Sequence, residues 1–150
     1  MKDVLKKEEY GVALAAPQIG ESLRLFIVAG QALEKRKRSD KARKRPPTSS
    51  EALEGFPLED EVYINPELIK LSRGRSEKHE GCLSVRGKWG IVPRAEKATV
   101  RAYNERGVQF TRGASGLLAQ IFQHELDHLD GILYTDKAKE MFDESDDTAL

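Results

Sequence analysis

The segment QHELDHLDG, Gln123 to Gly131, constrains this chain more than any other. It carries two of the three histidines, four residues apart, with a glutamate directly after the first. Residues at that spacing stand one above the other on a helix. His124 and His128 therefore project from one face and can grip a single metal ion, the H-E-x-x-H arrangement. Followed backwards, the same face carries Ile121 and Leu117, so the two imidazoles continue an apolar stripe and point into a core or cleft. Glu125 is turned by about 100° around the helix. It need not ligate; it can instead take a proton from water beside the metal. Helix signals frame the segment. Ser115 can cap it, GLLAQIFQHELDHLD follows, and Gly131 stands where a C-terminal glycine belongs.

Two imidazoles do not complete a metal site. One class of zinc protease extends the motif to a third histidine six residues on. Gly131 fits that pattern, but Tyr134 stands where the histidine should be. Glu140 follows His128 too closely to leave room for the second helix that such a ligand needs. Upstream, KHEGCLSVRG offers His79 and Cys82. A thiolate suits a borderline-soft divalent metal, and two histidines plus one cysteine leave a coordination position open for water. Cys82 is the only cysteine, so an internal disulfide is excluded and a reducing compartment fits.

The chain has 150 residues, which suggests a single domain able to bury a core without staples. Its 25 basic and 25 acidic residues cancel, so bulk charge does not make it a polyanion binder. No secretory leader is visible, and no apolar run approaches the roughly 18 residues a membrane helix needs. A cytoplasmic protein is expected. GVALAAPQIG, Gly11 to Gly20, reads as tightly packed backbone running into a strand, and LRLFIV, Leu23 to Val28, as a strand. Residues 34–51 are charged and then rich in Pro, Ser and Thr, an inserted basic loop; Lys35 to Arg45 alone holds eight Lys or Arg. Pairing resumes from Val62 to Leu71. Ile91 to Pro93 is a short extended piece, and Ala98–Tyr103 and Val108–Thr111 flank a hairpin turn at Asn104 to Gly107. A last short helix is expected over Asp136 to Phe142, then an acidic tail, 143–150. Several strands followed by one strong helix give an α+β fold, with antiparallel or mixed strands packed around the H-E-x-x-H helix.

Three segments in order, GVALAAPQ at Gly11–Gln18, EGCLS at Glu80–Ser84 and QHELDH at Gln123–His128, together resemble the peptide deformylases. The resemblance covers most of the chain outside the basic loop and the acidic tail. It implies a deformylase fold and removal of the N-formyl group from formylmethionine of nascent chains, with release of formate. It implies Cys82, His124 and His128 as metal ligands, and Fe(II) as the usual metal in the cell, with Zn, Ni or Co as substitutes. Glu125 would be the general base and acid; the Gln18 side-chain amide and the Leu83 backbone N–H would meet the developing oxyanion. Substrate would run past Val12, Ala13, Leu14, Glu80, Gly81 and Ile121, the last lining a pocket for the methionine side chain. Glu80 is also a candidate to orient a ligating histidine, and Asp127 to pair with Arg94.

Two departures matter. Ala13 replaces the second glycine of the first motif, and its methyl narrows the path for substrate backbone. Few residues precede Gly11 or follow Leu133 compared with the family pattern, which predicts apolar surface left uncovered. The basic run at 35–45 suggests contact with ribosomal RNA, without aromatic residues to stack on bases. A monomer is expected. A zinc endopeptidase, a metal-holding scaffold and a cysteine hydrolase built on Cys82 are the competing readings. Tyr134, Glu125 with Gln18, and the paired histidines argue against them in turn.

Overall fold

The computed structural model describes residues 1–8, 11–33 and 59–144. Helix α1 spans Lys2–Lys6 and is followed by strand β1, Ala13–Ala15, a 3-10 turn at Ala16–Ile19, and β2, Leu25–Val28. Then come β3 (Glu61–Leu71), β4 (Arg75–Cys82), β5 (Val85–Ala95), β6 (Lys97–Tyr103) and β7 (Gln109–Ser115). Helix α2 spans Gly116–Leu129, α3 Tyr134–Lys137, and β8 Glu140–Asp143. All strand pairs are antiparallel, in a five-stranded sheet of order β1-β2-β3-β6-β7 and a three-stranded sheet of order β4-β5-β8. The expected α+β class with antiparallel strands around the motif helix is what forms.

Helix α2 is held because its apolar stripe has somewhere to go. Leu118, Ala119, Phe122 and Leu126 are buried in the main core with residues of the five-stranded sheet. Rings organise that core: Phe26 stacks on Tyr63 at 4.7 Å, and Phe122 meets Tyr63 edge-on at 5.2 Å. The helix ends as the sequence predicts. Gly131 has φ +75°, its N–H bonds to the His128 carbonyl, and the Ile132 N–H bonds to that of Asp127, a glycine-closed C-terminus. Ser115 sits at the N-terminal cap, but its hydroxyl makes no capping hydrogen bond.

Two expectations need correction, and one strand was missed. The helix foreseen over Asp136–Phe142 is instead the single turn α3 followed by β8, because the chain pairs with β5 from Ile91 to Lys88. Ile91–Pro93 belongs to an eleven-residue strand. β4 was not foreseen as a strand, since its sequence, RSEKHEGC, alternates polar with polar. The basic loop and most of the acidic tail lie outside the described residues.

Close approach of β8 explains Gly90. A Cβ there would stand 2.7 Å from Met141 Sδ and 3.0 Å from the Glu140 carbonyl oxygen. The second contact is backbone and cannot swing aside. Gly90→Ala is expected to destabilise the fold by about 1–3 kcal/mol by forcing β8 off β5; an unchanged denaturant midpoint would refute this.

Candidate metal centre and active-site cleft

The β4–β5 hairpin and α2 bring the site together. Cys82 closes β4, pairs with Val85, and leaves Leu83-Ser84 as a two-residue turn. Across from it, α2 presents His124 and His128. His128 Nε2 lies 3.2 Å from Cys82 Sγ and 3.2 Å from His124 Nε2. The three donor atoms all lie within 4.8 Å of one another. One soft and two borderline donors, with His128 3.2 Å from each of the other two, suit a divalent ion with bonds of about 2.3 Å to sulfur and about 2.0–2.1 Å to nitrogen. His79 is not part of this group. Its ring is stacked on Trp89 at 4.9 Å, at the side of the cleft.

A buried charge network fixes one of the candidate ligands. Glu80 of β4 and Arg94 of β5, 5% and 2% exposed, are both buried, although the strand register sets Glu80 opposite Gly90 and Arg94 opposite Ser76. Arg94 Nε and Nη2 donate to the two Glu80 oxygens at 2.7 and 2.8 Å, and Nη1 donates to Asp127 at 2.7 Å. The other side of Glu80 Oε1 meets His124 Nδ1 at 2.7 Å, so the ring's Nε2 is turned toward Cys82 and His128. The Arg94–Asp127 pairing inferred from sequence is present. Glu80, placed along the substrate by the resemblance, lines the cleft with both oxygens engaged by protein groups, Oε1 by His124 as well as Arg94.

The electrostatics favour a thiolate at Cys82. Burial works against it, but hydrogen bonding with His124 and His128 and from the Ser84 backbone N–H outweighs burial and brings the Cys82 thiol down to about 5. Burial resists protonation of His124 too, yet the Cys82 and Glu80 hydrogen bonds raise its pKa. Glu125 differs in kind. It is 4% exposed, and its Oε2 is buried without a hydrogen-bond partner among the described residues. Burial pushes its carboxyl up to about 7, against the pull of His124 and His128.

Gln18 enters from the turn after β1. Its Oε1 accepts from the Ala15 N–H at 2.8 Å, which leaves Nε2 facing Ser84 Oγ at 3.0 Å and Cys82 Sγ at 3.4 Å. A cleft of about 770 Å³ opens over the cluster, lined among others by Val12, Ala13, Gln18, Gly81, Leu83 and Ile121. Leu14, expected beside them, does not line it. Strand alternation turns its side chain to the opposite face of β1, where it packs with Leu5, Ile27 and Ala29. Sequence reasoning passed over Gln123, whose amide clamps Ala95 by accepting from its N–H at 2.9 Å and donating to its carbonyl at 3.0 Å. It also assigned no role to Ser84. The signal for Gln123 was available: a polar residue on the core side of an amphipathic helix needs a partner.

The family model for polypeptide deformylase matches residues 1–143. The chain belongs to the polypeptide deformylase family. A peptide deformylase of Desulforudis audaxviator is 40% identical over 132 residues, 88% of this chain and 70% of that protein. Among solved structures, a probable peptide deformylase from Synechococcus phage S-SSM7 superposes with a TM-score of 0.71 at 28% identity, over 91% of this chain and 78% of that one. A peptide deformylase from Synechococcus elongatus in complex with actinonin gives a TM-score of 0.66 at 30% identity, over 87% and 57%. The chain thus spans 57–78% of the length of these deformylases. Members of the polypeptide deformylase family are metal-dependent, and this chain supplies a Cys/His/His group able to hold the ion. Among the described residues, no helix is long and apolar enough to cross a membrane.

Proposed function

We propose that the chain hydrolyses the N-formyl group from formylmethionine at the start of nascent polypeptides and releases formate. The observation that carries this is the convergence of the Cys82, His124 and His128 group, at one cleft, with Glu125, whose buried Oε2 has no hydrogen-bond partner among the described residues, and the amide of Gln18. Family membership and the actinonin-bound relative support the same reading. Cys82, His124 and His128 would hold a divalent ion, Fe(II) in the cell, with Zn(II), Ni(II) or Co(II) able to replace it. When bound, that ion supplies Lewis-acid polarisation and lowers the pKa of water.

The chain's own residues do the rest. Glu125, poised near neutrality by burial, takes the proton of the attacking water and later hands it to the leaving amine. Charge that develops on the formyl oxygen is met by Gln18 Nε2 and the Leu83 backbone N–H. Val12 and Ile121 provide an apolar wall for the methionine side chain, and Ala13 and Gly81 flank the passing backbone. Glu80 and Arg94 keep His124 aimed. The unit of action is a single chain in the cytoplasm, and the basic run at 35–45 engages ribosomal RNA; ribosome binding indifferent to salt would count against that contact.

The test is formate release from a formylmethionyl peptide by protein loaded anaerobically with Fe(II), or with Ni(II). Release should stop on chelation and return with metal. Cleavage of unformylated peptide bonds instead would favour an endopeptidase. Gln18→Ala is expected to lower kcat by about 10²–10³-fold, the usual cost of one oxyanion donor. A change confined to KM would assign Gln18 to substrate binding alone.

A further inference from the structure

We propose that Ser84 is a positioning residue: its hydroxyl holds the Gln18 side-chain amide in the orientation that aims an N–H at the reacting centre. The proposal rests on the deformylation reading and deepens it. A primary amide has one acceptor end and one donor end with two hydrogens. The Ala15 N–H, 2.8 Å from Oε1, requires the acceptor end there and so fixes which way the amide faces. One contact still leaves the amide plane free to swing, because the terminal torsion of glutamine is broad. The Ser84 hydroxyl, accepting from Nε2 at 3.0 Å, supplies the second point and takes up one of the two hydrogens. Nε2 also stands 3.4 Å from Cys82 Sγ, so its remaining hydrogen is directed toward the metal-binding group. A donor fixed in advance needs no reorganisation when charge appears.

The placement of Ser84 strengthens the argument. It lies in the two-residue turn that joins Cys82 to Val85, directly after Leu83. Both donors assigned to the formyl oxygen are thereby registered to one turn: Leu83 by its own N–H, and Gln18, 66 residues earlier, through the Ser84 hydroxyl.

The experiment compares Ser84→Ala, Ser84→Thr, Gln18→Ala and the Gln18→Ala/Ser84→Ala pair, all loaded with Ni(II). Ser84→Ala should lower kcat roughly 3–10-fold with KM unchanged, the size of one ordinary hydrogen bond. Ser84→Thr should restore most of that loss. In the Gln18→Ala background, removing the Ser84 hydroxyl should have no further effect. A readout independent of turnover is the Gln18 side-chain amide in ¹⁵N NMR, ordered in the parent protein and mobile in Ser84→Ala. An equal loss in the Gln18→Ala background would overturn the proposal, as would an amide that stays ordered without Ser84. Failure of the parent protein to release formate would overturn the deformylation reading instead, and the amide signal would still decide whether Ser84 holds Gln18.

Discussion

Replacing Glu125 with glutamine is expected to lower kcat for formate release by about 10²–10⁴-fold, the range for a positioned acid–base group, without loss of bound metal. Glutamine keeps the size of the side chain and none of its proton chemistry. Glu125 is offset around the helix from His124 and His128 and lies outside the Cys/His/His group. Metal content measured after dialysis should therefore match the parent protein. A parallel loss of metal and activity would make Glu125 a ligand or a scaffold for one.

The same substitution should stabilise the fold at neutral pH. A carboxyl whose pKa rises from 4.5 to about 7 on folding binds its proton more tightly in the native state. The sign follows by linkage: stability is greatest below about 4.5, falls as pH climbs, and is fully reduced above about 7. For a fully buried group the loss is about 3 kcal/mol, at 1.36 kcal/mol per tenfold change in proton affinity. With metal removed by a chelator, the parent protein should lose stability between pH 5 and pH 8 relative to Glu125→Gln. Parallel stability profiles would mean that burial does not hold the carboxyl up. A group kept unpartnered at a cost to the fold is what general acid–base work near neutrality calls for.

Helix α2 was legible because one sequence pattern serves packing and chemistry together. Leu118, Phe122 and Leu126 recur at helical spacing on the core side, while Ile121, His124 and His128 share the adjoining stripe. The hairpin from β6 to β7 was legible from Asn104 to Gly107, with Asn104 Oδ1 accepting from the N–H groups of Arg106 and Val108. The small sheet was not. The less exposed residues of β4 are Ser76, Lys78, Glu80 and Cys82, none of them a large apolar side chain and the last two part of the site, so the strand has no hydrophobic alternation to read. β5 carries Gly87, Gly90 and Pro93, which read as breakers. Yet Gly90 makes room for β8, and Pro93 lies beyond the pairing with β8, which ends at Ile91, so its missing N–H costs no ladder bond there. Leu14 was misplaced for a simpler reason: in a three-residue strand, neighbours of cleft-lining positions face the other way.

Arg94→Met is expected to cost about 3–5 kcal/mol, the price of breaking a buried ion pair from one side. Total stability of an ordinary domain is about 5–15 kcal/mol, so the loss is a large part of it. Arg94 is 2% exposed and answers two carboxylates at once. Without it Asp127 keeps Lys137 at the surface, but Glu80 keeps only the His124 ring. Arg94→Lys should recover little, because an ammonium cannot reproduce the planar fork that binds Glu80 bidentately. The acid side carries a further sign. Arg94 and His124 hold the Glu80 carboxyl below its ordinary 4.5, against the opposing effect of burial. Its contribution is therefore present above pH 4.5 and lost as pH falls through the lowered value. The Glu80→Leu/Arg94→Met pair should regain much of the stability that Arg94→Met loses, because no unpaired charge remains between the strands. It should not regain metal affinity, which is expected to stay about 10–100-fold below the parent once His124 has lost its orienting carboxylate. Denaturant unfolding and metal titration on the same samples would separate the two effects. Recovery of both would leave the Glu80–Arg94 pair with a purely structural role.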